Sequence, residues 1–261
     1  GPSGKIRLAT EPPSGWITET IRSDLPVMGT GFDIALGLTA DGSARVLYPV
    51  YTNSGYQFWL CSEAGSSWND EAVPALIGRA PTIRVGPDNT VHTSFYDPDK
   101  QQVMYAHQDA LGDWSQSVVS PAADHGYLVV AIALELDPEG GPHVVFADST
   151  QPRIVYASLT QSGWVSETVA TAFSTAAALT IDASGVAHIA YIDDATGDVM
   201  YVVKQDGHWV QQFVASDAAV AVDMDISSQS VPYISYTHAT TGLMELASLL
   251  PHKVFVPEIA R

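Results

Sequence analysis

Three carboxylates occur on the innermost predicted strands of different repeated sections of the chain: Asp33, Glu135 and Asp223. Glycoside hydrolysis needs two carboxylates about 5 to 9.5 Å apart across a pocket. Arg84 occupies the same alignment position as Glu135, and Asp223 joins them if the last section carries a two-residue insertion. Unpaired buried charges cost several kcal/mol, so we expect Arg84 to pair with Glu135 or Asp223. An inner charged ring that stabilises the fold is therefore predicted, with no residue assigned as catalytic.

Three histidines recur at one phase of the repeat, His92, His143 and His188. Imidazoles bind zinc when ligands converge from different directions. Equivalent positions in successive units lie apart, and Arg45 and Tyr233 take this place in the first and last units. We therefore predict hydrogen bonds to nearby turns and no metal site.

Three aspartates end the strands that contain those histidines: Asp97, Asp148 and Asp193. Calcium takes oxygen ligands, but neither "DPDK" nor "DDATGD" has the spacing of a dedicated calcium loop. Aspartate readily caps its own turn. The prediction is no cofactor, with calcium as the alternative.

Five tryptophans repeat with spacings of 45 to 52 residues: Trp16, Trp68, Trp114, Trp164 and Trp209. Periods of about 40 to 50 residues with four strands each are typical of β-propeller blades. Each unit reads as four alternating strands, a to d, separated by Asp- and Gly-rich turns. The sequence predicts an all-β, five-bladed β-propeller of four-stranded antiparallel blades, forming a single domain over residues 1–261. The predicted blades are about 31–77, 80–120, 128–171, 176–216 and 218–250.

The ends of the chain do not fit whole units. Residues 1–4, "GPSG", resemble the remnant of a cleaved tag, and 251–261 form a C-terminal tail whose strand pattern is poor. The stretch before and after Trp16 matches strands c and d. We expect 16–22 to close the last blade by pairing with it. Six blades, or strand exchange with a second chain, are the alternatives.

The composition narrows the choice of partners. The formal net charge is -18, which repels nucleic acid and anionic membranes. No apolar stretch is long enough to insert into a membrane. Cys61 is the only cysteine, in an apolar strand, so no intramolecular disulfide is possible. A monomer is expected rather than an oligomer.

The repeat phrase D-x-x-G-x-x-H-h-x-Y, followed by W-x-x-E-x-V, resembles secreted bacterial β-propeller repeats. The residues that carry the likeness best are Asp182, Gly185, His188, Tyr191, Tyr201 and Trp209. The resemblance implies a propeller fold and an extracellular or cell-surface location. It implies little about function, because propellers host many unrelated functions.

A specific function is expected where the sequence leaves its repeat, in "AADHGYLV". The loop face there is predicted to carry Asp33, Arg79, His125, Tyr127 and His238. We predict a non-catalytic binding module that recognises a glycan or a protein. A glycoside-active enzyme and a structural spacer of a surface protein are the alternatives.

Overall fold

The computed structural model describes residues 3–26, 34–52, 55–120, 131–148, 151–250 and 253–254. All regular secondary structure in these residues is β-strand. This follows from the sequence, in which alternating apolar residues are interrupted by Asp- and Gly-rich turns. Within these residues no helix has the length and apolarity needed to cross a bilayer.

The described strands form one two-stranded sheet and five four-stranded sheets, all antiparallel. The N-terminal hairpin consists of β1 (Ser3–Thr10) and β2 (Ile17–Pro26). The first sheet consists of β3 (Ala35–Leu38), β4 (Ala44–Thr52), β5 (Gly55–Ala64) and β6 (Ser67–Ile77). The second consists of β7 (Arg84–Val85), β8 (Val91–Asp97), β9 (Gln102–Gln108) and β10 (Trp114–Ser120).

The remaining three sheets repeat the same order. The third consists of β11 (Ile132–Leu136), β12 (Pro142–Asp148), β13 (Arg153–Thr160) and β14 (Gly163–Ala170). The fourth consists of β15 (Ala177–Ile181), β16 (Ala187–Asp193), β17 (Asp198–Gln205) and β18 (His208–Ala215). The fifth consists of β19 (Ala218–Ile226), β20 (Pro232–His238), β21 (Met244–Leu250) and β22 (Lys253–Val254), which the sequence had placed in the tail.

The first strands of successive sheets contact one another in turn, from β3 to β19. Each sheet therefore lies against the next around an inner row of strands, as blades do in a propeller. The core is divided among these interfaces. Leu179 of the fourth sheet, for example, packs in one cluster with Ile154 and Val145 of the third. Each buried leucine or isoleucine stabilises the interface by roughly 1.5–3 kcal/mol.

The turns between the first two strands are held by an aspartate in the first four sheets and by Ser227 in the fifth. The carboxylate of Asp182 accepts hydrogen bonds from the backbone N–H groups of Ser184 and Val186, both at 2.9 Å. Gly185 has φ +82°, a left-handed conformation that favours glycine. The sequence D-x-x-G thus fixes the turn that brings the two strands together.

The predicted closure of the last blade by residues 16–22 is wrong in this structure. β2 pairs with β1 along its length, and β21 pairs with β22. The hairpin instead packs on the first sheet, where Ile6 and Ile21 are buried with Val46, Tyr48 and Cys61. A hairpin closes a much shorter loop than pairing with the far end of the chain, and it loses less entropy.

Candidate functional site: a charged cluster on the inner strands

Corresponding residues of the inner strands are defined by their pairing. Gly37, Arg84, Glu135 and Thr180 each pair with the second residue of the neighbouring strand, which is Arg45, His92, His143 or His188. In the fifth sheet that register belongs to Asp225, opposite Tyr233, whereas Asp223 lies opposite Ser235. The alignment that gave Asp223 this place was therefore wrong. The two extra residues are accommodated between Ala218 and Val222, before both aspartates, so Asp225 keeps the register.

Arg84 and Glu135 form the centre of the cluster. Arg84 Nε donates to Glu135 Oε1 at 2.7 Å, and Arg84 Nη2 also contacts that oxygen. Arg84 Nη1 donates to the carbonyl of Ile83 at 2.9 Å. Both side chains are partly accessible, 42% for Arg84 and 20% for Glu135. The pair joins the inner strands of the second and third sheets.

The aspartates of the fifth sheet lie within electrostatic reach of this pair. Burial lowers the pKa of Arg84, but the hydrogen bond and charge of Glu135 and the charges of Asp223 and Asp225 raise it above its ordinary value. Asp223 and Asp225 are exposed, and each accepts a hydrogen bond from the next backbone N–H, of Met224 and Ile226. One guanidinium therefore interacts electrostatically with three carboxylates, and these four groups together have a formal net negative charge.

The three repeated histidines lie behind the inner strands and are hydrogen-bonded. Nδ1 of His92, His143 and His188 lies 2.5 to 2.6 Å from the hydroxyl of a tyrosine on the neighbouring strand. These tyrosines are Tyr105, Tyr156 and Tyr201, each 13 residues after its histidine. The sequence analysis missed them, although the constant spacing was a signal that could have found them.

The other nitrogen of each histidine faces its own turn. Nε2 lies 3.2 Å from Asp137 for His143 and 3.5 Å from Asp182 for His188, and for His92 it lies 2.9 Å from Thr90. Burial lowers the pKa of His92 to about 4, with repulsion from His107 acting in the same direction and Asp88 opposing it. In each of these three units an imidazole thus links strand to turn. No group of three His, Cys, Asp or Glu suited to a metal ion occurs in the part of the chain that is described.

The aspartates that end the histidine-bearing strands bind their own turns or a cation. Asp97 accepts backbone hydrogen bonds from Asp99 and Lys100, both at 3.1 Å. The ammonium of Lys100 lies 2.8 Å from the same carboxylate. Asp148 pairs with Arg153 at 2.7 Å. Asp193 likewise accepts a hydrogen bond from the backbone N–H of Ala195, at 3.0 Å.

The loop face predicted to bind a ligand is described only in part. Asp33, His125 and Tyr127 lie outside the described residues. The guanidinium of Arg79 lies over the Tyr56 ring, 5.2 Å from its centroid. His238 Nδ1 lies 3.4 Å from the carboxylate of Asp217. Arg79 and His238 thus have partners within their own parts of the fold, and the binding role of this face stays a prediction.

Comparison with known proteins gives the fold. No family model and no curated protein sequence matches the chain. A protein of Lactobacillus plantarum has a similar structure with TM-score 0.57 and 12% identity, covering 98% of this chain and 82% of that one. A polysaccharide lyase, named as a PL25 ulvan lyase, gives 0.58 and 11%, covering 93% and 69%.

A third similar structure is a nidogen–laminin complex chain, with TM-score 0.55 and 15% identity over 97% of this chain and 89% of that one. The similar structures are β-propellers, so the predicted all-β propeller fold is confirmed, while the number of blades in the ring is not. Identities this low establish the fold alone. The repeat phrase itself finds no support from a family model.

Proposed function

We propose that the protein is a non-catalytic binding module that presents a fixed acidic cluster on a propeller scaffold to a glycan or a protein surface. The observation that carries the proposal is the state of the inner carboxylates. Glu135 is tied to Arg84, while Asp223 and Asp225 are exposed beside it. Exposed carboxylates held on rigid strands accept hydrogen bonds from sugar hydroxyls or pair with basic side chains.

Carboxylates outside the inner cluster have structural roles. Among the described residues, each carboxyl whose pKa the surroundings clearly shift has that pKa lowered: Asp41, Asp88, Asp137, Glu167 and Asp182. Burial raises the pKa of Asp182, but hydrogen bonds from Ser184, Val186 and His188 lower it by more, so that the pKa is about 2. These groups act as ionised anchors of turns and strands.

The similar structures include a lyase and a sialidase as well as a nidogen–laminin complex, so the scaffold alone does not separate binding from catalysis. The net charge of -18 favours neutral or cationic partners over anionic ones. A location outside the cell belongs to the same proposal.

A glycan array, followed by titration of any hit at low and high ionic strength, tests the proposal. The double change Asp223→Asn with Asp225→Asn is expected to weaken binding of the hit and to leave the melting temperature unchanged. The matched control removes two charges from exposed turns, Glu139→Gln with Asp206→Asn, and should retain binding. An equal loss of binding in the double variant and in the control would show that binding depends on the net charge of the protein and not on the inner cluster.

The variant Glu135→Gln distinguishes a glycoside-active enzyme from a non-catalytic binding module. Loss of the charged hydrogen bond from Arg84 is expected to lower the free energy of unfolding by less than about 1 kcal/mol, because the pair is partly solvated. If Glu135→Gln instead eliminates a glycosidase activity while the protein stays folded, the enzyme reading replaces the binding module. If neither ligand nor activity is found, the structural spacer is favoured.

A further inference from the structure

The N-terminal hairpin has the structure of the outer half of a blade. The pairing of Ile6 with Arg22 and of Arg7 with Thr20 contains the same bulge as the pairing of Ile154 with Ala170 and of Val155 with Thr168 in the third sheet. The hairpin also occupies the place of a preceding blade. Trp68 Nε1 lies 3.3 Å from Glu19 of β2, as Trp209 Nε1 lies 3.0 Å from Glu167. β1 and β2 are therefore third and fourth strands of a blade in which the described residues supply no first or second strand.

An apolar face of the first sheet is exposed on the side where the described residues supply no inner half of a blade. On the inner strand of the first sheet, Ile34, Leu36 and Leu38 are 49%, 50% and 58% exposed. The residues at the Leu36 position of the other four sheets are 1% to 8% exposed: Ile83, Leu134, Leu179 and Met224. Each of those packs in one cluster with the preceding sheet. Leu179, for instance, lies in one cluster with Val145 and Ala147 of β12, the second strand of its neighbour.

The repeat places the edge of β1 next to this face, because β13, which corresponds to β1, pairs with the strand that packs in one cluster with Leu179. Among the described strands β1 pairs only with β2, and its other edge has no strand partner there. The charge on that edge follows from the third sheet. There Arg153 begins the third strand and forms an ion pair of 2.7 Å with Asp148, the last residue of β12. Counting back from the shared bulge places Lys5, which is exposed, at the position of Arg153.

We propose that β1 and the apolar face of Ile34, Leu36 and Leu38 form an acceptor site for an extended β-strand of a partner protein. The strand pairs antiparallel with β1, places alternate apolar side chains on Leu36 and ends in a carboxylate that pairs with Lys5. Exposed strand edges accept strands in this way, with backbone hydrogen bonds giving affinity and side-chain pockets giving specificity. Pairing of β1 with β1 of a second copy would bring the positive charges of Lys5 and Arg7 in the two copies close together. The repulsion between these like charges disfavours self-association.

The chain's own repeat supplies a probe. A synthetic peptide of residues 141–148, GPHVVFAD, contains the alternate residues Val145 and Ala147 that pack in one cluster with Leu179, and it ends in the aspartate of that strand. We expect saturable binding in a fluorescence anisotropy titration, with protection of the β1 amides from hydrogen exchange. Leu36→Asp should abolish binding in a folded protein, whereas Leu111→Asp, at an 88% exposed turn position, should leave it unchanged.

A charge exchange tests the register. Lys5→Glu is expected to weaken binding of the aspartate peptide about two- to fivefold, the size of a cross-strand charge pair. A second peptide with lysine in place of its aspartate should bind Lys5→Glu better than it binds the unchanged protein. This proposal does not depend on the charged cluster, so its outcome is separate from that of the proposed function.

Three results would overturn the proposal. One is no binding of the peptide by a folded protein. Another is binding that Leu36→Asp leaves intact. The third is a dimer of the unmixed protein by light scattering whose β1 amides are protected, which would assign the site to a second copy.

Discussion

The interfaces between neighbouring sheets and the two ends of the array use the same positions of the repeat in opposite ways. Phe58, Val103, Ile154 and Val199 are all 0% exposed, and each shares a cluster with the next sheet. Met244, at the same register in the fifth sheet, is 68% exposed. Leu36 shows the same contrast at the other end. The repeat therefore specifies a strand that needs neighbours on both sides, and burial depends on the position of a unit in the array.

The polar contacts follow the same division. The second, third and fourth sheets each contain a histidine bonded to a tyrosine hydroxyl. The first sheet has Arg45 in that place, which donates to backbone carbonyls of Ala44 and Glu63, and the fifth has Tyr233, 39% exposed. Sheets with two neighbours thus carry the histidine–tyrosine link, and the sheets at the ends do not carry that link at this position.

Removing a leucine side chain should give the largest difference between the two regions. Leu179→Ala is expected to lower the free energy of unfolding by about 2–5 kcal/mol, because it leaves a cavity between two sheets. Leu36→Ala should cost less than about 1 kcal/mol, because Leu36 is already half exposed. Urea unfolding of both variants, at unchanged slope, measures the comparison. Equal losses would mean that Leu36 is covered in solution.

The histidine links should make stability depend on pH. The lowered pKa of His92, about 4 against 6.5, means that the unfolded chain binds a proton that the folded protein does not. Its contribution is fully present above pH 6.5, is lost as the pH falls towards 4, and amounts to at most ~3 kcal/mol. Urea unfolding between pH 4.5 and 7 should show this slope. His92→Gln should flatten it, whereas His208→Gln, at an exposed position, should not. An unchanged slope in His92→Gln would assign the pH dependence elsewhere.

The tryptophans should give the smallest contrast. Trp209→Phe removes the 3.0 Å hydrogen bond to Glu167 and is expected to cost about 1 kcal/mol. Trp16→Phe should change the unfolding free energy by less than about 0.5 kcal/mol, because Trp16 is 68% exposed. Calorimetric melting of the two variants checks the difference. A larger change in the unfolding free energy for Trp16→Phe would show that another part of the protein packs against the hairpin at Trp16.

The sequence predicted the strands well because two markers, tryptophan and histidine, repeat in one phase. It could not predict where the N-terminal strands pair. The pattern of β1 and β2 fits the outer half of any blade, and the distance between the chain ends is a property of the assembled sheets. The placement of Asp223 failed for a related reason, since a two-residue insertion in a strand can be aligned on either side of an aspartate. Pairing register settled it in favour of Asp225.

The candidate site was less predictable than the fold. The position of Arg84 beside Glu135 depends only on the repeat, and both lie on neighbouring inner strands. The loop-face residues depend on segments that leave the repeat, where periodicity carries no information. Asp33, His125 and Tyr127 belong to such segments, and they lie outside the described part of the chain.

Because Cys61 is buried beneath the N-terminal hairpin, the rate at which its thiol reacts reports how often the hairpin opens. Cys61 is 0% exposed and packs with Ile6 and Ile21 of the hairpin. Burial, together with the charge of Asp70 and against that of Arg22, raises its pKa to about 11. Because the thiolate is the reacting species, a thiol reagent at neutral pH must wait until the hairpin lifts from the first sheet. The labelling rate of a single atom, Cys61 Sγ, thereby counts how often this end of the array opens.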